Sequence, residues 1–421
     1  MTVPNNKPRG KKPKPENPIS AVTRAWLLSL PQQSRPWSTS DEIDTLLGQQ
    51  TPKRFAVYEP MLLLPAGSFD KGLWRTILNH PDITDDKIHQ LWNAILCEVS
   101  KTGSGTLTHL AVNEGIPLQT SVKGDDEITA DKGENVLRTP SGLKILHGDF
   151  GPSVNPARPS VEDFEAAFWV STKQNGIYQT WAPRWTMFSR GNIKEKTRLL
   201  DFHSQTGPEA ASHRRRPAAA LKSYWAVDLY AGIGYFTFSY AKLGLKVLCW
   251  ELNPWSVEAL RRGAVANGWR VRVVRDADLE LPAARLLGGD EQIVVFLQDN
   301  QKAAGRIADM RASGTAVDVL HVNGGLLPTS EPTWRAAWDM TAASHDDCWL
   351  HLHENVGTYE IESRRTEIQG LYDGWAAATT TTTTGGSRAA TVEHVELVKT
   401  YAPDVWHCVF DVHITRSSSV T

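Results

Sequence analysis

Residues 225–253, WAVDLYAGIGYFTFSYAKLGLKVLCWELN, constrain the fold of this chain more tightly than any other stretch. A short apolar run ends in Asp228, and a glycine turn follows at Ala231-Gly232-Ile233-Gly234. A segment of helical character leads to a second apolar run, residues 247–250, closed by Glu251. Strand, glycine turn, helix and a second strand tipped with a carboxylate form the opening half of a nucleotide-binding α/β unit. Gly232 and Gly234 let the backbone turn tightly and approach a ligand closely, with a helix N-terminus behind them. The nicotinamide fingerprint calls for a third glycine at position 237, where this chain has Thr237. Asp228 lies four residues before Gly232, giving D-x-x-x-G-x-G, a form commoner in S-adenosylmethionine sites, where no pyrophosphate has to be cradled. Glu251, 23 residues after Asp228, is placed to accept both ribose hydroxyls. The plainer alternative is a tight turn followed by a solvated strand end.

The flanking sequence extends the unit. Asn253 can cap a helix and Pro254 suits its first turn. Val257, Leu260, Ala264 and Val265 repeat at helical spacing until Asn267-Gly268 stops them. Apolar runs at 271–274, 293–297 and 317–322 predict further strands, and 349–353, 393–400 and 405–414 alternate like strands. Strands alternating with helices predict an α/β fold with a Rossmann-like, class I methyltransferase sheet, mostly parallel with one antiparallel strand. Asp299 and Asn300, closing the 293–297 strand, are suited to read an adenine edge; Asp276 and Asp278 compete for that role. The stronger apolar character of 293–297 favours Asp299. His351 and His353 stand two apart on a strand and face one side. Without a third ligand at suitable spacing, packing or hydrogen bonding is the better expectation for them than a metal.

Composition sets the frame. The 421 residues, 41 % hydrophobic and 22 % charged, suffice for two or three domains with a large core. We expect a disordered basic tail over 1–24, an N-terminal α+β module over 25–155 and a Rossmann-like domain over 156–421. Insertions are expected near 204–220, 278–289 and 376–387, the last a low-complexity run, AAATTTTTTGGS. In the N-terminal module a strand runs into a helix near Lys71, and 88–99 has helical spacing. The four cysteines lie far apart with no CxxC pair, which argues against a disulfide framework or a zinc site. A polar N-terminus and the lack of a membrane-length apolar run predict a cytoplasmic protein with no membrane partner. Net charge is −2, so nucleic-acid affinity has to come from local patches.

One such patch is residues 164–200, dense in aromatics, with Arg184, Arg190, Lys194, Lys196 and Arg198 threaded between them. Basic residues neutralise phosphates and aromatics stack bases, which suits a flexible RNA strand; the same aromatics also suit a packed core. Arg214–Arg216 could touch phosphate, but such runs are more often solvated.

WAPRWTMFSRGNIKEKTR, DLYAGIGYFTFSYAKLG, WELNPWSVEALRRGAVANGW, GLLPTSEPTW, LHLHENVG and VKTYAPDVWHCVFDV together resemble the eukaryotic wybutosine-synthesising tRNA aminocarboxypropyltransferases, in a fungal-like form. The resemblance covers about residues 164–415, with a fainter echo at MLLLPAGSF. It implies transfer of the 3-amino-3-carboxypropyl group of S-adenosylmethionine to 4-demethylwyosine beside the anticodon of tRNA(Phe), releasing methylthioadenosine. It further implies that Ser189 and Lys196 contact the co-substrate, that Glu251 takes the ribose and that Asp299-Asn300 take the adenine. No metal and no obligate protein partner are implied. The chain departs from the family pattern at Gln298 and Gln301, where a glycine and an arginine usually flank the Asp-Asn pair. It departs again at HVNGGLLP, where an RVNLGLLP-like form is expected.

Two other readings compete. The sister tRNA (guanine-N1)-methyltransferases share the sheet and the N-terminal module, but they carry an Asn-Leu-Pro type motif that Asn323-Gly324-Gly325 lacks. A catalytically dead RNA-binding scaffold would keep the fold; the intact Asp228, Gly232, Gly234 and Glu251 argue against it.

Overall fold

A computed structural model describes residues 16–35, 37, 39–103, 105–113, 119–121, 132–134, 143–204, 212–380 and 388–416. The chain divides into two compact units, Met1–Pro117 with Pro140–Phe150, and Leu118–Thr139 with Gly151–Thr421.

In the first unit, strands Ala56–Tyr58, Met61–Leu64, His109–Asn113 and Leu143–His147 form one sheet in chain order. Helices Pro18–Ser29, Gly72–Leu78 and Asp85–Ser100 belong to the same unit. Phe69 meets the edges of Trp74 and Trp92 at 4.8 and 5.0 Å between ring centroids. The mixture of helix and sheet is the α+β module expected from the sequence. The expectation of a tail through residue 24 needs correction. Asn17 caps the helix Pro18–Ser29 through the amides of Ile19 and Ser20, and Ile19 is fully buried. Burial of that one apolar face is what the local charge pattern concealed. Residues 1–15 lie outside the described set.

The second unit is built on an eight-stranded sheet. We label its strands β1 (Trp225–Asp228), β2 (Lys246–Glu251), β3 (Val271–Val274), β4 (Ile293–Leu297), β5 (Val319–Gly324), β6 (Cys348–Gly357), β7 (Arg388–Ala402) and β8 (Val405–Arg416). Their order is β3-β4-β2-β1-β5-β6-β8-β7. Only β8 runs against the rest, pairing antiparallel with both β6 and β7. β1 is buried at every position, as a parallel strand covered on both faces must be. From β1 the chain moves first to one side, to β2, and later to the other, to β5. That reversal makes the carboxyl ends of β1, β2 and β5 the crevice in which open α/β sheets bind ligands.

Three helices matter below: α1 (Ile193–Asp201), α2 (Thr237–Leu243) and α3 (Pro254–Ala266). Asn253 caps α3 by accepting from the Trp255 amide at 2.9 Å, with Pro254 at the first helical position. The described parts of the expected insertions carry regular structure. The second contains a turn over Asp276–Glu280 and a helix over Ala283–Leu286, whose Leu286 is buried in the main core. A 20-residue helix, Ile361–Thr380, takes in the first five residues of the AAATTTTTTGGS run; 381–387 lie outside the described residues, as do 205–211.

Candidate active site

The turn after β1 is held from behind. Asp228 has no exposed surface, and its carboxylate accepts from Thr237 Oγ1 at 2.7 Å and Asn323 Nδ2 at 3.1 Å. The Tyr230 amide donates to it at 3.5 Å. Burial pushes the Asp228 pKa up, and these donors oppose the rise. A carboxylate so enclosed positions the turn and faces no ligand, which corrects the expectation of direct co-substrate contact. It also explains Thr237: a glycine there would remove one of the donors that make a buried carboxylate tolerable. In front of Asp228, Gly232 and Gly234 have φ of 53° and 89°, in the left-handed region. A Cβ on Gly234 would stand 2.5 Å from the Phe238 ring, so this position requires glycine on two counts.

Glu251, at the tip of β2, spans the turn. One carboxylate oxygen accepts from the Gly232 amide and the other from the Asn253 amide, both at 2.8 Å. Burial raises its pKa while those amides pull it down. Beside it, β4 pairs Leu297 with Glu251, which brings Asp299 and Asn300 to the same edge. Asn300 Nδ2 donates to the Leu229 carbonyl at 2.8 Å, and the exposed Asp299 caps the following turn through the Gln301 amide. Asp276 and Asp278 follow β3, one strand further from Glu251.

Lys196 reaches the turn from α1. It is 4 % exposed, and its Nζ donates to Gln179 Oε1 at 2.5 Å and Gln174 Oε1 at 3.1 Å. Both glutamines belong to a hairpin of strands Val170–Gln174 and Ile177–Trp181. Gln179 Nε2 in turn donates to the Gly234 carbonyl at 3.4 Å. Among the described residues no carboxylate pairs with Lys196, and desolvation pushes its pKa down to about 7. Its ammonium also lies over the rings of Phe188 and Tyr235, at 5.0 and 5.3 Å. Tyr235 ties the upstream segment to the turn: its hydroxyl donates to the Met187 carbonyl and accepts from the Ser189 amide. Ser189 Oγ also accepts from Lys399 Nζ at 3.4 Å. Ser189, Lys196, Gly232, Gly234, Glu251 and Asn300 are therefore linked through the turn, by way of residues that sequence reasoning missed, Gln174, Gln179, Tyr235 and Lys399.

The other basic residues are placed differently. Lys194 is tied to β7 through Glu396 and the Leu397 carbonyl, each at 2.6 Å. Arg190 is exposed and Arg184 half-buried. Of the aromatics in this stretch, Trp181 and Trp185 are buried in core, with Trp185 stacked on Trp255 of α3 at 4.9 Å, while Phe168, Trp169 and Phe188 are partly buried and Tyr178 is exposed. Arg214, expected to be solvated, instead pairs with Glu393 at 2.5 Å.

A polar stripe crosses the sheet beyond the turn. His203, His321 and His351 are hydrogen-bonded in series at 2.8 and 3.0 Å, and His351 Nδ1 bonds Asp411 at 2.7 Å. Arg198 bridges Asp411 and Glu195, donating from one edge of its guanidinium (Nε and Nη2) to Glu195 and from the other (Nη1 and Nη2) to Asp411. His353 Nδ1 bonds His407 Nε2 at 2.9 Å. His351 and His353 thus share a face, as their spacing requires, and each is engaged in hydrogen bonding. His213, Glu393 and His413 also cluster within 4.8 Å. Their two imidazoles stack at 4.7 Å and 21° and reach Oε2 of Glu393 at 2.9 and 3.6 Å, while Oε1 of Glu393 is taken by Arg214 and Trp349.

No helix among the described residues is long and apolar enough to cross a membrane. No family model matches the chain. It is 38 % identical over 369 residues to tRNA wybutosine-synthesizing protein 2 of Schizosaccharomyces pombe, covering 86 % of this chain and 72 % of that protein. Identity to the protein of the same name in Saccharomyces cerevisiae is 31 % over 398 residues, covering 87 % and 75 %. In architecture it is similar to the crystal structure of Pyrococcus horikoshii TYW2 in complex with MeSAdo, with a TM-score of 0.51 at 14 % identity over 95 % of this chain and all of that one. With the fungal proteins matched over more than two thirds of their length and the sheet shared with TYW2, the chain belongs to the tRNA wybutosine-synthesizing protein 2 family.

Proposed function

We propose that this protein transfers the 3-amino-3-carboxypropyl group of S-adenosylmethionine to 4-demethylwyosine beside the anticodon of tRNA(Phe), in the cytoplasm. The observation that carries this reading is Lys196. A buried ammonium without a counter-ion is costly, and a ligand carboxylate supplies the missing charge. Lys196 and Ser189 hold the methionine end, the glycine turn receives the nucleoside, Glu251 takes the ribose hydroxyls and Asp299-Asn300 the adenine. Asp228 fixes the turn from behind. Arg184, Arg190 and Lys194 supply phosphate contacts for the tRNA, Lys194 after release from Glu396. The bound sulfonium supplies an activated leaving group, so positioning the methionine chain decides which carbon is attacked. Holding the carboxylate at Lys196 turns the carboxypropyl carbon, and not the methyl, toward the base.

The test uses S-adenosylmethionine labelled separately in the methyl and the carboxypropyl carbons, with tRNA carrying the tricyclic precursor. The carboxypropyl label alone should enter RNA. Methyl label entering RNA would overturn the reading in favour of a methyltransferase, and no label from either would leave an RNA-binding scaffold.

A further inference from the structure

Five side-chain polar atoms without a hydrogen-bond partner sit at the carboxyl ends of β5 and β6 and on the facing end of β8: Asn323 Oδ1, His353 Nε2, both amide atoms of Asn355, and His407 Nδ1. Asn355 faces His407 across the β6–β8 ladder, and His353 lies two residues before Asn355 on the same face. An orphaned buried polar atom costs about 1–3 kcal/mol, and native structures hold few of them. Several at one strand edge mark a place where a ligand completes the hydrogen bonding. The edge adjoins the co-substrate turn: the His353 ring packs 4.8 Å from Phe236, which directly follows Gly234-Tyr235. Lys399, the donor to Ser189, stands opposite His407 on β7.

The two imidazoles are joined by a single bond, His353 Nδ1 to His407 Nε2. Two neutral rings joined this way always leave one free N–H and one free lone pair, on different rings. Moving the shared hydrogen from one ring to the other exchanges those roles, so a proton taken up at one end is released at the other. Burial pushes the pKa of both rings down, that of His407 to about 4, and Lys399 adds to the effect on His407. The pair is therefore neutral and ready to accept at pH 7.

We propose that the His353–His407 pair is the proton acceptor of the transfer reaction, with Asn355 holding the polar edge of the acceptor base. This assignment rests on the function proposed above. The acceptor carbon of the base bonds to the terminal carbon of the carboxypropyl chain as the carbon–sulfur bond breaks, its electron pair leaving with methylthioadenosine. The acceptor carbon then loses its hydrogen as a proton to the free imidazole nitrogen, and the carbon–hydrogen electron pair restores the aromatic ring. That cationic adduct is a strong carbon acid, so a weakly basic neutral imidazole suffices. The distal N–H of the pair gives up the second proton.

Two substitutions interrupt the pair while sparing its internal bond. His353→Asn retains a group at the Nδ1 position and removes Nε2; His407→Gln retains Nε2 and removes Nδ1. Both should bind S-adenosylmethionine within about threefold of wild type by calorimetry. Each should slow single-turnover carboxypropyl transfer by about 10²-fold or more. Deuterium at the acceptor carbon should have almost no effect on the wild-type rate and a large one on the variants, because proton loss has become limiting. A fall in rate without that isotope effect reports a structural role and overturns the proposal, as does transfer within threefold of wild type. Nitrogen-15 histidine spectra of the free wild-type protein give an arm that needs no variant. His353 and His407 should both be neutral at pH 7, and an imidazolium in either overturns the relay. Wild-type protein that transfers no carboxypropyl label overturns the function itself, which is a different result from variants that transfer undiminished.

Discussion

Lys196 Nζ lies 2.5 Å from Gln179 Oε1, and Gln179 Nε2 in turn reaches the Gly234 carbonyl. A buried ammonium is thereby coupled to the glycine turn through a neutral amide and not through a carboxylate. An acidic residue at position 179 would satisfy the lysine permanently and remove the reason for it to bind a ligand. Glutamine orients the charge without neutralising it.

The first prediction concerns stability and binding at Lys196. Its pKa is about 7 in the folded chain against an ordinary 10.5, so the unfolded chain binds more protons between those values. Stability of the ligand-free protein should therefore rise as pH increases from about 7 toward 10.5, with the charge penalty fully present below pH 7. Lys196→Met should raise the unfolding free energy at pH 6.5 by on the order of a few kcal/mol, read as a higher urea midpoint, and flatten this pH dependence. The same variant should lose at least tenfold in S-adenosylmethionine affinity by calorimetry. Gains in both stability and affinity would remove Lys196 from the site.

Glu251 and Asp228 should separate by assay. Glu251→Ala removes a carboxylate bonded to two amides at the front of the turn, and should weaken S-adenosylmethionine by roughly 10- to 100-fold. Asp228→Ala strands Thr237 and Asn323 in the core, so its main loss should be stability, about 2–4 kcal/mol by urea denaturation. Unchanged affinity in Glu251→Ala would exclude it from the ribose site.

Gly234→Ala should be severe. The added methyl meets the Phe238 ring at 2.5 Å in a backbone conformation with φ of 89°. A loss of about 2–4 kcal/mol is expected, from strain and steric overlap together. Pairing it with Phe238→Leu should recover part of that loss in thermal melts, because the overlap is relieved while the backbone strain remains.

The Arg198 network sets the acid limit of the fold. Arg198 and His351 hold Asp411 far below the usual carboxylate range, against the opposing effect of burial. A depressed carboxylate contributes stability that is fully present above its unfolded value, near 3.8, and is lost as pH falls below that toward the folded value. Acid unfolding should therefore steepen below about pH 4, and Asp411→Asn should flatten that limb while lowering stability at pH 7. Arg198→Met strips buried Glu195 of its ion pair and leaves Asp411 with His351 and the more distant Arg214, and should cost about 3–5 kcal/mol at pH 7.

Local sequence carried much of the outcome. Continuous apolar runs, alternating segments and the glycine turn specify strands and their sequence order, because a strand's burial is written in its own residues. Asn253-Pro254 marks the start of α3, since a cap acts only over one helical turn. The spacing of His351 and His353 put them on one face. Motif similarity led to Ser189 and Lys196, which the structure links to the turn through Tyr235 and Gln179.

Partner choice across the sheet was not legible. Nothing in the neighbourhood of Lys196 reveals that its ammonium lacks a carboxylate; that follows from a hairpin about 20 residues upstream presenting amides. Asp228 read as a ligand contact because the motif gives its position along the strand but not the depth of its side chain. Tertiary packing put Thr237 and Asn323 on it and so turned it into a support. The pairing of His353 with His407 likewise depends on the register of two antiparallel strands 54 residues apart, which no local spacing encodes. The sequence by itself determined the fold and pointed to the candidate site at the turn after β1. The tertiary structure decided which charges are satisfied there and which are left for a ligand, because desolvation and hydrogen bonding depend on neighbours in space.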